Sequence, residues 1–476
     1  MVAVRSHPVD PMPPTNSVRF PSTRRAFLQQ TAVAGAVLGF PAILRAASPN
    51  SRVQVAAVGV TGQGFSDLHN VGQHPQVKLV GLCDVDRALF TKADAEFPGV
   101  PHFADFRVML EKLGDQVDAV TVGIPDHMHA RVAIEAMQRG KHVYCEKPLA
   151  HTVWEVRQMS QWAAKKNVVT QMGTQIHSNI EYRLATHLIQ NGAIGKVQAV
   201  HSWVVVAGNE RTRLLEPPAP GPVPATLDWD LWIGTAPMRA YAPEVYHPYA
   251  WRDWQDFGGG AIGDFACHIL DPVFSALKLS APLTVVAANT GVNRQIWPTA
   301  ETVRYVFPGN ELTAGPTLNV TWTDGGLRPD RKLAKLPPEV DLPRSGSLFI
   351  GELGNLVLGH IAAPRLYPVE KFQGYPYPKD LKGLNHWHRW VDAIIAGTKT
   401  TCGFDYAGPL SETVQLGNVA TRVANRVAVH RGSRPIDPVG ATPLQWDAAN
   451  LRITNHPEAH ALLTKTYRPG WEVPPA

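Results

Sequence analysis

Three residues of this chain have side chains that suit the oxidation of an alcohol. Asp264 and His268 stand four positions apart where apolar residues recur at helical spacing, so both lie on one face of a predicted helix. A histidine can take up the hydroxyl proton, and a cation such as Lys147 can stabilise a developing alkoxide. By spacing alone, such an Asp–His pair is more typical of an ordinary helix surface. The chemistry therefore depends on whether the fold brings the three residues together.

A glycine-rich turn follows the first predicted strand. Residues 53–58 are apolar and rich in β-branched side chains, and a helix is predicted to open at Phe65. Glycines between a strand and a helix let the backbone approach a pyrophosphate at the helix N-terminus. The turn departs from the G-x-G-x-x-G pattern because Thr61 stands at the second glycine position. The predicted dinucleotide contacts in this turn are Gly59, Thr61, Gly62, Gln63 and Gly64.

An acidic residue ends the second predicted strand. This strand covers residues 77–83, and Asp84 follows it, 20 residues after Gly64. An acid at this distance accepts hydrogen bonds from the adenosine ribose hydroxyls and repels a 2′-phosphate. The sequence therefore predicts NAD in preference to NADP, unless Arg87 governs the site instead.

Strands and helices continue to alternate as far as about residue 172, which predicts a parallel, doubly wound sheet of the Rossmann type. Ligands bind at the carboxyl ends of the strands in such sheets. Pro125 and the Glu146–Lys147 pair stand at predicted strand ends, so they belong to this edge. His129 is predicted to line the cofactor there, not to bind a metal, and no metal site is expected in the chain.

The sequence changes character beyond residue 173. Alternating runs such as 196–207 and 301–307 predict strands, and late helices are expected near 386–396 and 411–427. Proline-rich stretches between the periodic segments predict loops. The four cysteines, which are far apart and form no CxxC pattern, are expected to be buried free thiols.

The first 47 residues resemble an export signal. Arg24 and Arg25 precede Phe27–Leu28, an apolar stretch follows, and small residues stand at Ala46–Ala47. The apolar stretch is too short for a membrane span, and we expect delivery to the periplasm through the twin-arginine machinery. Residues 1–47 carry a net charge of +4 out of +5, so the rest of the chain is close to neutral. This balance gives no indication of nucleic-acid binding.

A longer set of motifs resembles one family, the glucose-fructose oxidoreductase, inositol dehydrogenase and rhizopine-catabolism (Gfo/Idh/MocA) family. The most specific elements are Glu146-Lys147-Pro148 and Asp264-x-x-x-His268, and they are accompanied by residues 171–175, 192–197 and 229–234 and by Trp251-Arg252. The resemblance extends from about residue 52 to about residue 430. One departure is His177, where related sequences often carry an arginine.

The sequence thus predicts a signal segment (1–47), a Rossmann domain (51–172) and a second α+β domain (173–476). The resemblance implies that the second domain contains a large, mostly antiparallel open sheet. It implies an NAD(P)-dependent oxidoreductase that acts on a sugar or polyol and forms homo-oligomers. Lys147, His268 and Asp264 would be catalytic, with Asp264 orienting His268 or passing on its proton. Further implied cofactor contacts are Ile124, Gln175, Trp251 and Arg252. An NAD-dependent glycoside hydrolase and a non-catalytic sugar-binding protein remain alternatives.

Overall fold

The computed structural model describes residues 52–424 and 434–476. The twin-arginine segment lies outside these ranges. Between Arg52 and Ala476 the chain forms one compact unit. It contains two sheets, one of six strands and one of nine.

The first sheet is entirely parallel, with the strand order β3-β2-β1-β4-β5-β6. Its strands are β1 (Val53–Val58), β2 (Val77–Cys83), β3 (His102–Phe103), β4 (Ala119–Val122), β5 (His142–Glu146) and β6 (Thr170–Gly173). The helices between and after them are α1 (Gly62–Gly72), α2 (Thr91–Glu96), α3 (Phe106–Leu113), α4 (Asp126–Gln138) and α5 (Val153–Lys166). Strand order therefore reverses between β1 and β4, and ligands of doubly wound sheets bind at such a switch point.

The second sheet has the order β13-β12-β11-β7-β10-β9-β8-β14-β15, and only the β7–β10 pair in it is parallel. Its strands are β7 (Val197–Trp203), β8 (Thr284–Asn289), β9 (Glu301–Pro308), β10 (Thr317–Thr323), β11 (Gly346–Gly351), β12 (Asn355–Gly359), β13 (Arg365–Tyr367), β14 (Leu444–Asp447) and β15 (Arg452–Ile453). The predicted fold class, a Rossmann sheet plus a mostly antiparallel open sheet, is confirmed.

The remaining helices belong to the second half of the chain. They are α6 (Ile180–Gln190), α7 (Trp229–Ile233), α8 (Gly260–Ile269), α9 (Asp271–Leu277), α10 (His386–Ala396), α11 (Phe404–Val423) and α12 (Pro457–Ala461). Among the described residues, no helix has both the length and the apolar character needed to cross a membrane. The four cysteine thiols are buried and free, as predicted.

Two helix starts differ from the prediction. Helix α1 begins at Gly62, three residues before Phe65, so the glycine turn itself spans only residues 59–61. Helix α11 begins at Phe404 and passes through Pro409, although the sequence suggested a start at residue 411. Pro409 is the sixth residue of this helix, so its missing N–H removes one ladder hydrogen bond, and the helix continues past it.

Candidate functional site

A cavity opens at the carboxyl ends of the Rossmann strands, where the sequence placed the cofactor. Most of the predicted cofactor residues line it, namely Gly59, Thr61, Gly62, Gln63, Asp84, Ile124, Pro125, His129, Glu146, Lys147, Trp251 and Arg252. Trp232, His247, Tyr249 and Trp471 line it as well, and none of these four was assigned from the sequence. The cavity is thus built from both halves of the chain.

Two of the predicted cofactor residues do not line the cavity. A Cβ atom on Gly64 would lie 2.5 Å from the carbonyl oxygen of Gly123, so this glycine allows α1 to approach the end of β4. Gln175 donates from its amide nitrogen to the Glu146 carboxylate and, over 3.1 Å, to the Tyr144 hydroxyl. Both residues therefore contact residues that line the cavity, Gly123 and Glu146, without lining it themselves.

Asp84 is fixed at the end of β2 by two backbone amides. The Val60 N–H donates to its Oδ2 and the Asp86 N–H to its Oδ1, each over 3.1 Å. Burial raises the pKa of this carboxyl, and the two amide donors oppose that shift. Arg87, the alternative cofactor-selecting residue, donates instead to the Ala225 carbonyl oxygen over 2.8 Å.

Lys147 lines the cavity and forms a buried ion pair with Asp264, whereas Asp264 and His268 do not line it. The Lys147 Nζ donates to the Asp264 Oδ1 over 2.7 Å and to the Asp264 main-chain carbonyl over 2.6 Å. The two residues are 117 positions apart, so strand β5 and helix α8 must meet to form this pair. Both side chains are about nine-tenths buried, which strengthens the electrostatic interaction between them.

Two arginines share the same carboxylate. Arg252 donates from Nε to Asp264 Oδ1 over 3.0 Å, and Arg211 donates from Nη2 to Oδ2. Burial alone would raise the pKa of the Asp264 carboxyl, but Arg252, Lys147 and Arg211 together hold that pKa well below its usual range. Asp264 therefore stays ionised and is the counterion of the site.

The expected pairing of Asp264 with His268 is wrong. Within the described ranges the two side chains share no hydrogen bond, because three cations occupy the Asp264 carboxylate. The Nδ1 atom of His268 instead lies 3.1 Å from the Thr174 hydroxyl oxygen. Burial lowers the pKa of His268 well below its usual value, and Lys147 and His360 lower it further. His268 is therefore a neutral imidazole at physiological pH.

The two histidines after Pro125 contact main-chain carbonyl oxygens, and His129 also lines the cavity. His129 places its two ring nitrogens 2.8 Å from the Pro148 carbonyl oxygen and 2.7 Å from that of Ile124. His127 contacts the Trp232 carbonyl oxygen through Nε2 over 3.1 Å. Burial lowers the pKa of His129 to about 4 and that of His127 to about 3. These contacts fix the strand ends that carry Pro125 and Lys147.

His177, noted above as a departure, lies outside this cavity. Its Nδ1 is 2.9 Å from Asp271 Oδ1, and its Nε2 is 3.2 Å from the Thr401 hydroxyl oxygen. Cys402 lies close to this pair, and the Tyr406 hydroxyl donates to Asp271 over 2.8 Å. Both ring nitrogens of His177 thus lie within hydrogen-bond distance of side chains of this chain.

Two family models match this chain, one for each half. Residues 53–174 match GFO_IDH_MocA, described as an oxidoreductase family with an NAD-binding Rossmann fold. Residues 204–298 match GFO_IDH_MocA_C2, described as the C-terminal alpha/beta domain of an oxidoreductase family. The chain thus matches Gfo/Idh/MocA family models in both of its halves, over less than half of its length in total. Its first domain is accordingly an NAD-binding Rossmann domain, as the glycine turn and Asp84 predicted.

Several Gfo/Idh/MocA relatives have names that describe sugar chemistry. A levoglucosan dehydrogenase from Pseudarthrobacter phenanthrenivorans is 28% identical over 191 residues, which is 40% of this chain and 40% of that protein. A glycosyl hydrolase family 109 protein from a Shewanella species is 29% identical over 154 residues, which is 30% of this chain and 33% of that protein. The matches thus span less than half of these relatives.

Solved structures share the fold over most of their length. The levoglucosan dehydrogenase complex with NADH and levoglucosan superposes with a TM-score of 0.52 at 17% identity, covering 78% of this chain and 96% of that one. WlbA dehydrogenase from Bordetella pertussis, in complex with NADH and UDP-GlcNAcA, gives a TM-score of 0.55 at 18% identity, covering 80% and 100%. At sequence identities of 17% and 18%, the structural similarity supports a shared fold and no more than that.

Proposed function

We propose that this protein is an NAD-dependent oxidoreductase that moves a hydride between a carbinol carbon of a sugar or polyol and nicotinamide. The observation that carries the proposal is the buried ion pair between Lys147, which lines the cavity, and Asp264, which shares a helix with the neutral His268. Relatives named as sugar dehydrogenases support the substrate class.

The side chains divide the work of alcohol oxidation. When bound, NAD accepts the hydride from carbon, so the protein must take the hydroxyl proton. His268 is neutral, which leaves one ring nitrogen free to accept that proton. Lys147 stabilises the negative charge that develops on the substrate oxygen, and Asp264 holds the ammonium in place through two contacts.

The proposal is tested by measuring NADH absorbance with a panel that includes levoglucosan, glucose and myo-inositol. On the active sugar, His268→Ala should lower kcat by roughly 10²–10⁴-fold, and Lys147→Ala should cost a comparable amount. NAD affinity should change little in either variant. The control is His460→Ala, since His460 is exposed and outside the cavity. Near-normal turnover by His268→Ala would contradict the assignment of the base.

A second candidate function is hydrolysis of glycosides with transient use of NAD. The names of the Shewanella relatives favour this reading. The same panel therefore includes p-nitrophenyl glycosides, and release of nitrophenol without net formation of NADH would replace the dehydrogenase proposal. A non-catalytic sugar-binding protein is the least favoured reading, because it has no need for a buried Lys147–Asp264 ion pair whose lysine lines the cofactor cavity.

NAD is proposed to bind more tightly than NADP. Asp84 lines the cavity, and its carboxylate would repel a 2′-phosphate, whereas Arg87 is engaged by the Ala225 carbonyl oxygen. In Asp84→Ser, the ratio of the dissociation constant for NADP to that for NAD should fall towards one. Tighter binding of NADP by the unaltered protein would contradict this assignment.

Export and assembly are further proposals. Arg24 and Arg25 before an apolar stretch favour delivery to the periplasm by the twin-arginine machinery. Replacing both arginines with lysine should retain the protein in the cytoplasm, and unchanged export would reject the signal.

The homo-oligomer implied by the family resemblance is tested by light scattering of the purified protein.

A further inference from the structure

A second histidine lies beside His268 and was not assigned from the sequence. His360 belongs to the turn between β12 and β13, and its ring centre is 5.9 Å from that of His268. Burial lowers the pKa of His360, and the charge of Lys147 lowers it further. The site therefore presents two neutral imidazoles close to one ammonium group.

The Nδ1 atom of His268 contacts the hydroxyl of Thr174, and this hydroxyl donates its proton to another acceptor. Thr174 Oγ1 lies 3.3 Å from the Cys267 carbonyl oxygen, and because a carbonyl only accepts, the single hydroxyl proton lies between these two oxygens. The contact of 3.1 Å between Thr174 Oγ1 and His268 Nδ1 is then made by a proton on Nδ1. Nε2 of His268 is consequently an acceptor.

His360 has the opposite arrangement. Its Nδ1 lies 3.1 Å from the hydroxyl of Tyr182, whose side chain is only 2% exposed. In the part of the chain that the structure describes, this hydroxyl has no other partner, so its proton is satisfied only if Tyr182 donates to Nδ1. A buried hydroxyl proton without an acceptor would cost about 1–3 kcal/mol. The proton of His360 therefore lies on Nε2, which is a donor.

Both Nε2 atoms remain available to a ligand. Neither has a hydrogen-bond partner among residues 52–424 and 434–476. Neither is among the fully buried polar atoms that lack one, so each retains an open side. One ring that offers an acceptor and one ring that offers a donor thus lie with their centres 5.9 Å apart, and the charge of Lys147 acts on both.

We propose that His268 and His360 recognise two oxygens on neighbouring carbons of the substrate, which makes the substrate a 1,2-diol. This inference rests on the proposed dehydrogenase function. His268 Nε2 accepts the proton of the hydroxyl that is oxidised, while the hydride leaves its carbon for NAD and the C–O bond becomes a carbonyl. The Nε2–H of His360 donates to the adjacent hydroxyl oxygen. Thr174 and Tyr182 are positioning residues that set the two tautomers.

The first test needs no substrate. Protein labelled with ¹⁵N in histidine is studied by two-bond ¹⁵N–¹H correlation at pH 7.5, with signals assigned through His268→Asn and His360→Asn. We expect the proton on Nδ1 in His268 and on Nε2 in His360. The same tautomer at both residues would overturn the proposal, whatever the enzyme turns over.

Variants of the two hydroxyl residues test the cause of the tautomers. Thr174→Val removes the acceptor at nearly unchanged volume, so the Nδ1–H form of His268 should lose population, whereas Thr174→Ser should keep it. Tyr182→Phe should likewise shift His360 away from the Nε2–H form. An unchanged His268 signal in Thr174→Val, or an unchanged His360 signal in Tyr182→Phe, would contradict the positioning roles.

The second test uses the panel sugar that is oxidised and its deoxy analogue, which lacks one hydroxyl next to the reacting carbon. His360→Asn should lower kcat/KM on the sugar roughly tenfold, with most of the loss in KM. On the deoxy analogue, the variant and the unaltered protein should be equal. An equal loss on both compounds would overturn the diol assignment, whereas absence of NADH formation from every sugar would overturn the proposed function itself.

Discussion

Asp126 is an acid that lines the cavity and is almost completely buried. Its carboxyl is only 2% exposed. Burial raises its pKa from 3.8 to about 7, although Arg252 and Lys147 pull it down. Between these two values the folded protein holds a proton that the unfolded chain has lost. Folding is therefore favoured by Asp126 at low pH, and this contribution is lost as the pH rises towards 7.

We predict that Asp126→Asn removes this pH dependence. In the unaltered protein the residue should cost about 1.4 kcal/mol of stability per pH unit between about pH 4.5 and 7. The free energy of unfolding of the variant should therefore rise relative to that of the unaltered protein as the pH increases over the same range. Urea midpoints at pH 5 and pH 7 check this, with the exposed Asp115→Asn as the control. Parallel pH profiles for all three proteins would contradict the buried titration.

For single residues, the sequence predicted which residues belong to the candidate site more successfully than it predicted the contacts of their side chains. Lys147, Asp264 and His268 were identified by motif and chemistry. In the structure Lys147 lines the cavity and contacts Asp264, and His268 lies on the same helix as Asp264. The partner of His268 was wrong because helical spacing brings two residues to one face and says nothing of what approaches that face. Arg211 is 53 positions before Asp264 in a loop without periodicity, so no local signal predicts its contact with the carboxylate.

Helix α1 and strand β4 approach each other through glycine alone. The Cα of Gly64 packs on Gly123, and an added Cβ would lie 2.5 Å from the Gly123 carbonyl oxygen and 2.8 Å from that of Gly59. Both obstacles are backbone atoms, which cannot move aside as a flexible side chain can. Gly62, at the start of α1, has a φ of 52° but no atom within 4 Å of an added Cβ.

We predict that Gly64→Ala is much more harmful than Gly62→Ala. The second change should cost only about 1–2 kcal/mol, since it puts a non-glycine residue into the left-handed region without a clash. The first should separate α1 from β4 and disturb the turn that faces the cofactor. Thermal midpoints of the NAD-free proteins check the ranking. Equal midpoints would mean that the backbone there adjusts freely.

Elements with a strong local pattern were predicted closely. Strand β2 and helix α10 have the predicted bounds, because a short apolar run that ends before Asp84 marks the strand and Gly397 stops the helix. The order of the nine-stranded sheet was beyond prediction. Strands β7 and β10 pair in parallel across more than 100 intervening residues, and such pairing depends on packing that single strands do not encode.

At the scale of the whole molecule, the segment after α12 connects the two halves of the chain. Lys465 Nζ lies 3.1 Å from Glu155 Oε1 on α5, and it donates to the Thr235 hydroxyl over 3.1 Å. The Tyr467 hydroxyl donates to the same Glu155 oxygen over 3.0 Å. Trp471 then reaches the cofactor cavity. A polar, proline-containing segment gives no periodic signal, which explains why this role was not predicted.

We predict that Lys465→Met destabilises the protein strongly. The side chain of Glu155 is fully buried, so loss of the ammonium leaves a carboxylate without its cation, and breaking such a pair typically costs about 3–5 kcal/mol. The double variant Lys465→Met with Glu155→Gln should recover part of this loss, because the amide is neutral and can still accept the Thr152 N–H in the cap of α5. Lys399→Met is the matched control, since Lys399 pairs with Asp405 at the surface, where such pairs contribute little. Urea midpoints at pH 7.5 rank the three variants, and equal losses in the two lysine variants would contradict a structural role for Lys465.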